Sequence, residues 1–128
     1  MALVLLDTTV LIDALRGRQA ADRVRSRRAA GDLFVTSPVN VEEIYRGLQR
    51  SEEAVATRLF EGLRVAPIRA SEGERAGRWR RDFARRGRTL SQADCLVAAV
   101  AASMGAHLAT ANVKVYPMRG VLVEHWPS

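Results

Sequence analysis

One cysteine, one lysine and two histidines are all that this 128-residue chain holds of those three residue types. Cys95 therefore has no partner for an internal disulfide, and the fold must close on its apolar core alone. His107, His125 and Cys95 stand without the spacing of a zinc site. No apolar run approaches the length of a membrane span, and no basic-then-apolar leader opens the sequence, so a reducing cytoplasm is the expected location. Repeats, low-complexity linkers and breaks in composition are also missing, which leaves a single domain over residues 1–128.

What is present is a globular mixture, 48% hydrophobic and 27% charged, with a net charge of +6 carried almost wholly by arginine. Such a charge steers a polyanion toward the surface and makes its binding salt-sensitive. Arginine and alanine in place of lysine also mark a GC-rich coding genome, so two readings of the charge stand.

Short apolar runs predict strands at Leu3–Leu6, Leu33–Thr36, Val65–Ile68 and His107–Thr110, with a fifth at Val121–Glu124. Helix starts are expected at Ser37-Pro38 and at Ser51 with Glu52 and Glu53, and capping-box spacing appears at Ser71-x-x-Glu74 and Ser91-x-x-Asp94. Gly105 is placed to close the last helix. Strands alternating with helices give an α/β layered fold with a mostly parallel sheet of four to five strands. Ligands of such sheets collect beyond the carboxyl ends of the strands.

Three acids stand near those ends. Asp7 follows the first strand, where it serves equally well as an N-cap for Thr9 to Arg16 or as a carboxylate at the working edge of the sheet. Asp13, one turn on, reads as a surface charge. Glu42 and Glu43 point about 100° apart on a helix, so at most one enters a site. Glu42 has Arg46 at ion-pair spacing, whereas Glu43 faces Gly47 and suits either a cleft wall or open solvent. Asp94 opens a helix that is apolar from Cys95 onward, and the positive helix end keeps its carboxylate ionised whether it caps or faces a cation. Carboxylates brought together without basic partners need a hard divalent ion such as Mg²⁺ or Mn²⁺, and metal-assisted hydrolysis is the chemistry implied.

The segments Val4-Leu5-Leu6-Asp7-Thr8-Thr9-Val10-Leu11-Ile12, Ser37 to Glu43 running on to Gly47, and Leu90-Ser91-Gln92-Ala93-Asp94-Cys95-Leu96-Val97-Ala98-Ala99 resemble, in order, the PIN-domain VapC-type toxins of bacterial toxin–antitoxin pairs. The resemblance spans essentially the whole chain. It implies a PIN-like three-layer fold and an Mg²⁺- or Mn²⁺-dependent endoribonuclease with Asp7, Glu43 and Asp94 as catalytic and metal-binding residues, and it selects Glu43 over Glu42. It further implies an RNA substrate, a small antitoxin that blocks the acidic pocket, commonly with an arginine, and a homodimer. Thr8, Thr110 and Asn112 fall where supporting groups are expected. A fourth motif, Thr110 to Tyr116, departs from the pattern, because Val115 occupies the position of a further aspartate.

The arginines around Trp79 and Phe83, among them Arg80, Arg81, Arg85 and Arg86, are candidate phosphate contacts, while the two aromatics read as an i,i+4 core stripe. Arg23, Arg25, Arg27 and Arg28 invite the same two readings. A phosphotransferase is disfavoured by Thr9, which stands where a second aspartate belongs. A receiver domain lacks its acid pair, and a plain structural domain leaves the ordered motifs unexplained. The rival is a PIN-like module that binds RNA or antitoxin without cutting. Val115→Asp is expected to raise Mn²⁺ affinity and RNA cleavage across a Mn²⁺ titration, and an unchanged titration would show that position 115 is no ligand site.

Overall fold

The computed structural model describes residues 1–128. Five parallel strands, β1 (Leu3–Leu6), β2 (Leu33–Thr36), β3 (Arg64–Val65), β4 (His107–Thr110) and β5 (Leu122–His125), form one sheet in the order β3-β2-β1-β4-β5. Six helices connect them: α1 (Thr8–Leu15), α2 (Gln19–Ala29), α3 (Pro38–Gly47), α4 (Glu53–Glu61), α5 (Ala70–Arg85) and α6 (Gln92–Met104). The connections from β1 run outward to β2 and, much later in the chain, outward to β4 on the other side. The strand order therefore reverses between β1 and β4, and a crevice opens at their carboxyl ends.

Alternation along each strand divides the core in two. Leu5, Val35 and Leu108 point toward one face, where α5 and α6 cover them with Ala76, Val97 and Val100. Val4, Leu6, Phe34 and Ala109 point to the other, against Val10 and Leu11 of α1, Val24 of α2 and Ile44 of α3. This is the expected three-layer arrangement. Cys95 is fully buried, and burial pushes its thiol above the ordinary range. Trp79 and Phe83 pack on the first core as the expected stripe.

Several local readings are corrected. The third strand stops at Val65: Ala66 N–H makes the last bond, to Thr36 O, and Pro67 has no N–H with which to continue, so Ile68 turns onto the core. The fifth strand sits one residue later than expected. Ser51 is not a cap, since Glu52 bonds back to Gln49 N–H ahead of a 3₁₀ turn that leads into α4. Ser71 lies inside α5, whose start is fixed by Glu72 accepting from Arg69 N–H at 2.8 Å.

Asp13 is not a surface charge. Gly17, at φ 68°, reverses the chain so that α2 folds back over α1, and the nearly inaccessible Asp13 carboxylate accepts from Ala20 N–H at 2.9 Å. Its other oxygen has no partner. Nor are the arginines of α2 free: Arg27 bridges Asp32 and Glu124, Arg28 donates to Gly62 O, Arg25 pairs with Asp22, and Arg23 lies over Trp126.

The Glu124-His125-Trp126 segment, which carries no motif, forms the latch that ties the last strand down. Glu124 accepts from Arg27 at 2.8 Å and from Trp126 Nε1 at 3.1 Å, and it meets His107 Nδ1 at 2.6 Å. Arg27, with help from Trp126 and His107, holds its carboxyl at about 2, well below the ordinary 4.5. A depressed carboxylate contributes stability that is fully present above pH 4.5 and is lost as pH falls toward about 2. Glu124→Gln is expected to remove on the order of 2 kcal/mol at neutral pH. Stability curves of variant and parent should converge through that acid window, as read by urea melts at a series of pH values.

Candidate active site

Each candidate side chain is delivered by a different element: Asp7 by the end of β1, Glu43 by α3 and Asp94 by the start of α6. Asp7 is the residue at which β1 becomes α1, and its extended backbone makes it the N-cap, with Oδ1 accepting from Val10 N–H at 3.2 Å. The residue also lines the crevice, so capping does not remove it from the cleft. Thr9 donates to Oδ1 at 2.5 Å and in turn accepts from Ala111 N–H at 2.9 Å, tying the end of β1 to the loop after β4. The Tyr116 hydroxyl donates to Oδ2 at 3.1 Å from the opposite wall.

Glu43 comes from the middle of α3, a helix started by Ser37 at its N-cap and Pro38 in its first turn. Thr8 donates to Glu43 Oε1 at 2.6 Å, and the buried Asn40 side chain donates to Thr8 at 3.1 Å while accepting from Ser37. Asp94 sits in the first turn of α6. Ser91 Oγ accepts from Asp94 N–H at 3.0 Å, and no return bond is made from the Asp94 side chain to Ser91, so the cap is one-sided and the carboxylate is left for the cleft.

Asp7, Glu43 and Asp94 line one cleft of about 420 Å³ together with Thr8, Thr9, Asn40, Arg46, Asn112, Val115 and Tyr116. None of the three acids is in a salt bridge. Asp7 is only 3% exposed and has hydroxyl and amide donors but no cation. Tyr116 registers the arrangement. Burial first, then the charges of Asp7 and Asp94, with a smaller part from Glu43, push its phenol far above the ordinary value and keep it a neutral donor.

The three carboxylates share the walls of the cleft without converging on a point, and no three acid, histidine or cysteine side chains form a ready-made coordination shell. Like charges with no counter-ion are held apart by their repulsion. The donors are hard oxygens throughout, with no imidazole or thiolate among them, a set that suits a hydrated Mg²⁺ or Mn²⁺ and not zinc.

Residues 4–118 match the PIN domain family. The chain belongs to the PIN-domain family. It is similar to Ribonuclease VapC10 of Mycobacterium tuberculosis, 36% identical over 117 residues that span 91% of this chain and 87% of that protein. Ribonuclease VapC19 of the same organism is 30% identical over 115 residues, 89% of this chain and 92% of that protein. Among solved structures, VapBC2 from Rickettsia felis bound to a DNA fragment from its promoter superposes with a TM-score of 0.86 at 18% identity, over 97% of this chain and 98% of that chain. That likeness establishes the shared fold.

Within this PIN domain the remaining sequence-predicted residues separate. Thr8 orients Glu43, and Asn112 and Val115 line the cleft, whereas Thr110 is fully buried and accepts from Asn112 N–H at 3.0 Å, shaping the loop after β4. Arg80, Arg81 and Arg85 of α5 and Arg86 at its C-cap are exposed and do not line the acidic cleft. The expected Glu42–Arg46 ion pair is not formed: Glu42 is exposed and Arg46 lines the cleft instead. Thr9, Asn40 and Tyr116 carry no signal in the sequence, because their roles rest on contacts far apart in the chain.

Unpaired like charges in a half-closed cleft work against folding in favour of function. In chelator, Glu43→Gln keeps an oxygen for Thr8 and relieves the repulsion, so it is expected to raise stability by about 0.5–1 kcal/mol. A lowered melting temperature would show that the acids are already compensated.

Proposed function

We propose that this PIN-domain protein is a metal-dependent endoribonuclease acting as the toxin of a toxin–antitoxin pair. The observation that carries the reading is the set of three uncompensated carboxylates, from β1, α3 and α6, facing one crevice where the strand order reverses. Support for RNA as substrate comes from the two Mycobacterium tuberculosis relatives named as ribonucleases. The net charge of +6 adds to it.

Asp7, Glu43 and Asp94 would hold Mg²⁺ or Mn²⁺, with Asn112 in reach of its water shell. When bound, the ion supplies Lewis acidity that activates water and offsets charge on the phosphate. The protein's own contribution is orientation. Thr9, Val10 N–H and Tyr116 fix both oxygens of Asp7, and the Asn40-to-Thr8 relay fixes Glu43. Asp94, whose carboxylate is not committed to its cap, would be free to hold the ion or to accept a hydrogen bond from water beside it. Val115 offers no oxygen on the side of the cleft where a fourth acid is expected, so metal affinity is reduced and single-ion occupancy is favoured.

A small antitoxin that covers the acidic cleft and a homodimer complete the reading. The antitoxin is supported by the likeness in fold to VapBC complexes, and the homodimer by the family resemblance. No helix is long and apolar enough to cross a membrane.

The test is direct. Purified protein is expected to cleave RNA in Mg²⁺ or Mn²⁺, and Asp94→Asn to lower the rate by roughly a hundredfold or more with RNA binding retained. If parent and variant bind RNA equally and neither cuts, the hydrolysis reading falls and the binding-module reading replaces it.

A further inference from the structure

A second cavity, of about 430 Å³, opens directly beside the acidic cleft and shares Asp94, Asn112 and Val115 with it. Its other wall has the opposite electrostatic character. Arg88, from the turn that follows α5, and Lys114, from the 3₁₀ turn that follows β4, both border it, together with Thr89. Neither cation is in a salt bridge. On α2, by contrast, Arg25 and Arg27 are paired with Asp22, Asp32 and Glu124.

Arg88 is also fixed in place. One terminal nitrogen donates to Lys114 O at 2.5 Å, which locks the two basic residues into one unit and leaves the other guanidinium donors open. The side chain of Lys114, the only lysine of the molecule, is exposed at the rim. Arg88 and Lys114 border the same cavity as Asp94, yet neither forms an ion pair with it, and Asn112 and Val115 join this basic groove to the acidic cleft.

We propose that the Arg88–Lys114 groove is the phosphate subsite that grips the substrate RNA backbone next to the scissile bond. This rests on the ribonuclease reading above and adds where the strand runs: from the acids, over Asn112 and Val115, onto Arg88 and Lys114. The lining holds no aromatic side chain on which a base could stack, so the groove reads the sugar–phosphate chain and not its sequence. It also assigns the RNA grip to these two residues and not to the exposed arginines of α5.

The experiment uses the full chain carrying Glu43→Gln, which leaves RNA uncut, and a fluorescently labelled single-stranded RNA of mixed sequence, followed by anisotropy over a series of salt concentrations. Lys114→Glu and Arg88→Gln are each expected to weaken binding by roughly three- to tenfold and to flatten the dependence of log K on log salt by about one charge, whereas Arg81→Gln leaves both unchanged. In the cleaving chain the two groove variants are expected to raise KM with little change in kcat. Lys114 makes no side-chain bond, so its variant keeps the test valid if Arg88→Gln loosens the turn. Unchanged affinity and salt slope in both groove variants, or a loss carried by Arg81→Gln instead, overturns the assignment while leaving cleavage untouched. RNA that binds through the groove and is never cut upholds the groove and sinks the hydrolysis reading.

Discussion

A buried carboxylate with no counter-ion governs this molecule. Asp7 stands at the end of the central strand, bonded by the hydroxyls of Thr9 and Tyr116 and by Val10 N–H, and no basic side chain forms a salt bridge with it. The neighbourhood is built to hold that charge still, not to neutralise it. Thr9 anchors it to the chain after β4, and Tyr116 anchors it from the far wall. The position at the reversal of strand order sets Asp94 and Glu43 beside the same cleft, because α6 and α3 begin or pass where the sheet opens.

Charge is distributed over the fold with a clear division of labour. At the far end of the sheet, opposite charges are joined: Arg27 pairs with Asp32 and Glu124, and Glu124 also bonds the His107 ring, in a network that ties α2, β4 and β5 together. At the working end, charges are left unpaired and their repulsion is tolerated. Stability is drawn from the latch and from the two apolar cores, and the strain of like charges is concentrated in the cleft.

The fold was largely legible from residues next to one another in the chain. Period-two apolar runs placed the strands, Ser37, Ser91 and Gly105 marked helix ends, and the nearly all-apolar stretch after Asp94 foretold a buried helix. Failures came where a local rule met a nonlocal contact. Asp13 reads as solvated because nothing near it in sequence shows that α2 folds over it, and the apolar run through Ile68 outlasts its strand because Pro67 has no N–H to pair. The α2 arginines looked like a polyanion surface until the strand carrying Glu124 was set beside them.

By itself the sequence determined the α/β class, the place of most strands and helices, the family, and the candidate acids at positions 7, 43 and 94, because periodicity, caps and motif order are properties of neighbours along the chain. Only tertiary structure decided that Tyr116 reaches Asp7 across 109 positions, that Asn40 steers Glu43 through Thr8, and that Arg46 lines the cleft and does not pair with Glu42. The reason is geometric: strand order and register set which distant side chains meet, and no spacing read along one segment encodes either.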